Sequence, residues 1–290
     1  MEITREQFLN WKDRRFGSTN PERIENPFWV QMIETQVSAY TARAQFEYTE
    51  GEHLVAGPVW CFSRFGMTET QLPDGRVVYV GGEHEDYYDP DFCIYNDVIV
   101  RQPDGKIEIY GYPLATFLPT DFHTATLVGK VIYIIGCLGY QQHRQQFLQL
   151  DSPLTPVFQL DCTTLEITPI TTAGEVPGWI SRHDAVFDEA ENAIVISQGK
   201  QSTLVGETLA SDYNTGVYRL DLTSLEWSKT GETKVNEEEL ARDRFHVLYR
   251  KAFQEIKTEL GEDAMSSEPI KFMQHVRERL QQISERTSQA

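Results

Sequence analysis

Cysteine is scarce and scattered: Cys61, Cys93, Cys137 and Cys162 are the four in a chain of 290 residues, and no C-x-x-C pair occurs. A disulfide-stapled secreted domain is short and cysteine-dense, so these thiols are expected to be reduced and to serve as small buried hydrophobes. No apolar run approaches the ~18 residues that a membrane span needs, so no membrane association is expected. The segment from Met1 to Trp11 carries Glu2, Arg5 and Glu6 and lacks the apolar stretch of a signal peptide. A cytoplasmic location is the expectation. Positive charge is also in short supply, with 26 Lys and Arg against 44 Asp and Glu and a net charge of −18. Such a field repels nucleic acid unless a basic patch opposes it, and the sequence has no such patch. G-x-S-x-G, the P-loop and H-E-x-x-H are absent too, which weakens an enzymatic reading.

What is present is ordinary for a folded protein: 40% hydrophobic and 11% aromatic residues. Three zones follow one another. Residues 1–56 read as a helical N-terminal flank, with Phe8, Trp11, Arg15 and Phe16 on one helical face. A second helical segment starts where Asn26 caps and Pro27 takes the first position, and it continues through Phe28, Met32, Val37, Tyr40 and Ala44. Residues 57–230 change to short β-branched runs separated by turn signals such as Pro73-Asp74-Gly75 and Pro103-Asp104-Gly105. Residues 231–290 form a helical C-terminal extension. Its first stripe holds Leu240, Phe245, Leu248, Ala252, Phe253, Ile256 and Leu260, and its second Ile270, Met273, Val276, Leu280 and Ile283. Both stripes are expected to pack on the body.

The strand zone repeats. One unit runs from Arg64-Phe65-Gly66 through Gly81-Gly82 to Ile107-Glu108-Ile109-Tyr110. The second runs from Asp121-Phe122-His123 through Gly136-Cys137 to Leu165-Glu166-Ile167. The third runs from Arg182-His183-Asp184 through Gln198-Gly199 to Leu225-Glu226-Trp227. Val98, Val157 and Val217 stand 59 and 60 residues apart. Each unit carries four strand runs, and the extra length over a ~50-residue repeat lies in loops.

This order of signals resembles a kelch blade: a His-x-Ala strand, an apolar strand ending in a glycine pair, a strand closing in Leu-Asp, and a Trp-bearing strand. Only the first unit keeps both glycines, and only the third keeps the tryptophan. The stretch from Gly81 to Val98 is similar to those of bacterial kelch-containing proteins. The resemblance implies a mainly β fold of kelch-type four-stranded antiparallel blades with helical flanks. Three blades are recognisable, fewer than the four to eight of a closed propeller. The propeller is therefore expected to be open, or completed by a diverged blade near residues 45–62 or by a second chain. The terminal helices are expected to cover the outer edges. Some kelch-like proteins are copper oxidases, sugar epimerases or iron-dependent specifier proteins, but the Tyr-Cys-His copper constellation is not recognisable in this sequence.

Strand alternation puts every long connection on one side: residues 83–95, 138–155 and 200–214. The first contains Glu83, His84, Glu85, Asp86, Tyr87, Tyr88, Asp89, Pro90 and Asp91, five carboxylates and a histidine in nine residues. It is read as a solvated acidic loop whose tyrosines suit recognition of a protein or basic peptide. No resident cofactor is expected. The same loop would suit a divalent metal through His84, Asp86, Asp89 and Asp91, although the spacing matches no EF-hand or zinc pattern. Arg64, Asp121, His123, Arg182 and His183 lie at the starts of the repeats, where they either tie neighbouring blades or line a binding site. The leading expectation is a non-enzymatic binding scaffold. The alternative is a metal-assisted or acid–base enzyme acting on a small polar substrate.

Overall fold

A computed structural model of the chain describes residues 3–48, 58–84, 93–139, 154–205, 208–261 and 269–288. It divides into two compact units, Met1–Thr233 and Lys234–Ala290. The N-terminal flank therefore shares one unit with the strand zone.

Helix α1 (Arg5–Trp11) starts in a capping box between Thr4 and Gln7. It ends at Trp11, so Arg15 and Phe16 fall outside it. Helix α2 (Pro27–Thr35) begins as expected: the Asn26 side chain accepts from the Trp29 amide, and Pro27 fills the first turn. Gln36 then turns left-handed, at φ 54°, and stops the helix, so Val37 and Tyr40 do not continue it. Ser38 caps a separate helix, α3 (Ala39–Gln45). Apolar faces of these helices meet one face of the first sheet. Phe8 stacks on Phe46 at 4.5 Å and Trp29 on Trp60 at 4.7 Å, in one core with Tyr79, Ile99 and Ile109. Stacked aromatic pairs of this kind add about 0.5–1.5 kcal/mol beyond their buried area.

The protein is mainly β. Three antiparallel four-stranded meanders follow in sequence, one for each repeat. The first consists of Thr68–Gln71, Val77–Val80, Val98–Arg101 and Ile107–Gly111. The second consists of Thr124–Val128, Val131–Ile135, Val157–Asp161 and Ile167–Pro169. The third consists of Asp184–Asp188, Ala193–Ser197, Gly216–Asp221 and Glu226–Glu232. The sheets stack face to face because both faces of the middle one are apolar. Val78, Val80, Val98 and Val100 meet Ile132, Ile134 and Leu160. Tyr133, Ile135 and Val157 meet Ile194, Ile196, Leu220 and Trp227. Among the described residues no fourth such sheet occurs. The stretch near 45–62 adds a single bridge, Asp13 to Val59, and residues 49–57 lie outside the description.

Short extended segments cover the outer edges of the sheets. Glu22–Arg23 pairs with Ile107–Gly111 of the first sheet. The Asn20 side chain mimics a strand for the second: its amide donates to the Ile167 carbonyl at 2.8 Å and accepts from the Ile167 amide at 2.9 Å. Ala173–Gly174 pairs in parallel with the last strand of the third. The pairing consumes backbone groups that would otherwise invite another chain.

The C-terminal unit contains α4 (Glu237–Leu260), capped by Asn236, and α5 (Pro269–Ser288). The two helices cover each other: Ala252 and Ile256 of the first stripe pack with Val276 and Ile283 of the second and with Phe272, which the second stripe does not include. Arg279 spans the pair, with nitrogens 2.8 Å from Glu255 and 2.9 Å from Glu259. Phe245, expected to be buried, is 52% exposed.

Candidate functional site

The leading strands of the three sheets lie side by side, joined by three ties that each occur twice. The Phe122 amide donates to the Gly66 carbonyl at 2.9 Å, and the Arg182 amide to the Phe122 carbonyl at 2.8 Å. The Gly82 amide donates to Thr120 at 2.8 Å, and the Cys137 amide to Ile180 at 2.9 Å. His123 Nε2 lies 2.8 Å from Thr68 Oγ1, and His183 Nε2 lies 2.9 Å from Thr124 Oγ1. Each histidine therefore reaches back to a threonine one sheet earlier. Burial pulls the imidazoles down, to about 3 for His123, with His183 nearby adding to the effect, and to about 4 for His183. Both rings are neutral at physiological pH. Their Nδ1 atoms are buried without a partner among the described residues, which favours the tautomer with the proton on Nε2, because a bare lone pair costs less than an unpaired N–H.

The departures from the repeat mark the ends of this ladder. Met67 replaces histidine in the first unit, where there is no earlier threonine. Asp184 replaces threonine in the third and is exposed. Gly81 and Gly136 hold positive φ, and a Cβ on either would come within 2.3 Å of the carbonyl of Thr120 or Ile180. Gln198 occupies the matching place in the third sheet at φ 62°, where no later sheet supplies a carbonyl. Its side chain donates to Thr233 Oγ1 at 3.0 Å.

Arg64 lies at the head of the first sheet with 1% of its side chain exposed. Desolvation works against its charge, and Asp97 more than offsets that through contacts of 2.5 and 3.0 Å. Two further guanidinium hydrogens go to the Cys61 and Gly81 carbonyls, both at 2.8 Å. The Arg64 guanidinium lies 3.5 Å from the centre of the Tyr95 ring, and Trp60 Nε1 donates to Asp97 at 2.9 Å. His84 is buried, not on a solvated loop, because Glu83–His84 pairs as a strand with Arg64–Phe65. His84 Nδ1 is 3.2 Å from Cys61 Sγ and 3.1 Å from the Tyr95 hydroxyl. This Cys61–His84–Tyr95 cluster gives no signal in sequence, since residues 23 and 11 positions apart meet only through the fold.

The third grouping lies where all three sheets begin. Glu83 is 8% exposed and Asp121 is fully buried. Asp121 Oδ1 accepts from the amides of Leu138 at 3.2 Å and Gly139 at 2.9 Å, while Asp121 Oδ2 is buried on the Glu83 side with no other partner among the described residues. Burial raises both acids, Glu83 to about 8, and each adds to or answers the other's charge while Arg182 opposes the rise. The Arg182 guanidinium lies 3.3 Å from the centre of the Phe122 ring, and the residue is exposed.

No family model and no curated protein matches the chain. Among solved structures it is similar to that of YjhT, at 12% identity and a TM-score of 0.39. The match covers 59% of this chain and 52% of the other, so the chain spans about half that protein's length. Likeness at this level identifies neither a family nor an activity.

The expected site residues thus separate into three sets. Asp121 and Arg182 come together with Glu83, whose burial removes it from the solvated loop expected of it. Arg64 and His84 belong to the buried cluster around Tyr95. His123 and His183 are ladder rungs. Glu85, Asp86, Tyr87, Tyr88, Asp89 and Asp91 lie outside the described residues. Among those described, no group of three or more His, Cys, Asp or Glu side chains is placed to hold a metal ion. The four cysteines are buried, as expected, and none forms a disulfide among the described residues. No described helix is long and apolar enough to cross a membrane.

Proposed function

We propose that this chain is a kelch-type binding scaffold of three blades in an open propeller, which takes a protein or basic peptide on the end carrying the long connections. The observation behind this reading is where the polar groups at the strand starts are spent. Arg64 is committed to Asp97 and two carbonyls, and His123 and His183 to threonines of the preceding sheet. Groups held in this way fix a frame and leave recognition to the connections it carries. Charge supports a basic partner: Met1–Thr233 carries 16 basic and 33 acidic residues, or −17 of the chain's −18. Completion of the propeller by a second copy is disfavoured by Gln198, whose side chain stands where a stacked fourth sheet would place a carbonyl.

The test is association of an oligolysine peptide with the full chain at two salt concentrations. Neutralising Glu85, Asp86, Asp89 and Asp91 together should slow association and flatten its salt dependence, because exposed charges act mainly on the on-rate. An unchanged rate and salt slope, or no binding by the unaltered chain, would remove the reading.

A second reading, an acid–base enzyme for a small polar substrate, is favoured by one observation. Glu83 keeps its proton at neutral pH beside the exposed Arg182, as a general acid must. Under that reading Glu83→Gln abolishes turnover of a substrate whose binding survives.

A further inference from the structure

Glu83 and Asp121 meet from different sheets. Glu83–His84 pairs with Arg64–Phe65 at the head of the first sheet, Asp121 leads into Thr124–Val128 of the second, and the Gly82 amide donates to the Thr120 carbonyl at 2.8 Å, which sets the two acids side by side. Two carboxylates have no donor between them, so a hydrogen bond joining the carboxyls requires a proton. Asp121 Oδ1 is taken up by the Leu138 and Gly139 amides. Asp121 Oδ2 is buried with no hydrogen-bond partner among the described residues unless Glu83 donates to it. Two amide donors favour the charged form of Asp121, which assigns the proton to Glu83. Among the described residues, the charged or titratable groups facing the pair are Arg182, at the head of the third sheet, and the Cys137 thiol beside Asp121.

We propose that Glu83 and Asp121 form a proton-operated joint between the first and second sheets. With its proton, Glu83 donates to Asp121 Oδ2 and closes the joint. Without it, two carboxylates face each other away from water and the Glu83 strand loosens from the second sheet. Burial places the change within reach of neutral to mildly alkaline pH. The sign follows from linkage: an acid raised in the folded state binds a proton that the unfolded chain releases. Its contribution is complete below the ordinary carboxylate range and is lost as pH rises toward about 8. The joint is independent of the binding reading and would operate under the enzymatic one as well.

The experiment is thermal unfolding of the full chain between pH 5 and 9, with hydrogen exchange of residues 80–84 corrected for the intrinsic rate. Glu83→Gln keeps a donor toward Asp121 and cannot ionise. The unaltered chain should lose melting temperature toward pH 9 and exchange about tenfold faster there in residues 80–84, whereas Glu83→Gln should do neither. The same pH slope in the variant, or unchanged exchange in the unaltered chain, would overturn the joint. If Glu83→Gln does not fold, Asp121→Asn decides by the same readouts. Its amide can donate to an ionised Glu83, so the slope should again flatten, and an unaltered slope would again overturn it.

Discussion

His183 Nε2 lies 2.9 Å from the hydroxyl of Thr124, one sheet back, and Asp184, which takes threonine's place in the third sheet, is exposed to solvent. The rung repeats between His123 and Thr68 at 2.8 Å. Thr124→Val should leave the buried Nε2 of His183 without a partner and lower stability by about 1–3 kcal/mol. Urea unfolding of Thr124→Val and Thr68→Val checks this, and Asp184→Val, at the open end, should cost far less.

The glycines in the turn before the third strand of each meander should divide by sheet. Gly136→Ala brings a Cβ within 2.3 Å of the Ile180 carbonyl at a positive φ. It should cost several kcal/mol, as strain at a left-handed position combined with a backbone clash does. Gln198→Gly relieves a left-handed side chain worth about 1 kcal/mol and gives up the bond to Thr233, of similar worth, so it should cost far less than Gly136→Ala. Chemical denaturation of the two variants side by side measures the contrast.

Arg64 and Asp97 form a buried pair whose value shows only when it is broken. Asp97→Ala strands the guanidinium among Trp60, Tyr95 and two carbonyls, and should destabilise by about 3–5 kcal/mol. Surface carboxylates such as Asp104 should cost under about 0.5 kcal/mol on the same change. Equal effects at the two positions would contradict a buried, mutually compensated pair.

A large part of the fold is legible in the sequence. The spacing of Val98, Val157 and Val217 marks three meanders, and Asn26-Pro27 marks a helix start, because both depend on local rules. The edge cover is not legible. Asn20 reaches Ile167 across 147 positions, and a two-residue strand such as Glu22–Arg23 has no periodicity to detect. The helix break at Gln36 escapes for the opposite reason, since the apolar spacing continues through it while the backbone turns left-handed. At the site, residue types were legible and roles were not. Glu83 and His84 share the acidic composition of their neighbours, and only their pairing with Arg64–Phe65 buries them. The substitutions to Met67, Asp184 and Gln198 look like decay of a repeat, and become intelligible once the stack is seen to have two ends.

On the proposed reading, the imidazoles at the strand starts are neutral structural ties that hold the body as a frame. A histidine lowered in the folded state gives stability that is fully present above its ordinary value of 6.5. That stability is lost as pH falls toward about 4 for His183 and about 3 for His123. The direct measurement is an NMR titration of the ring signals of His123 and His183, assigned by His123→Gln and His183→Gln. The account predicts that neither ring titrates between pH 5 and 8. A midpoint near 6.5 for either ring would show a solvated, proton-exchanging imidazole and contradict the account.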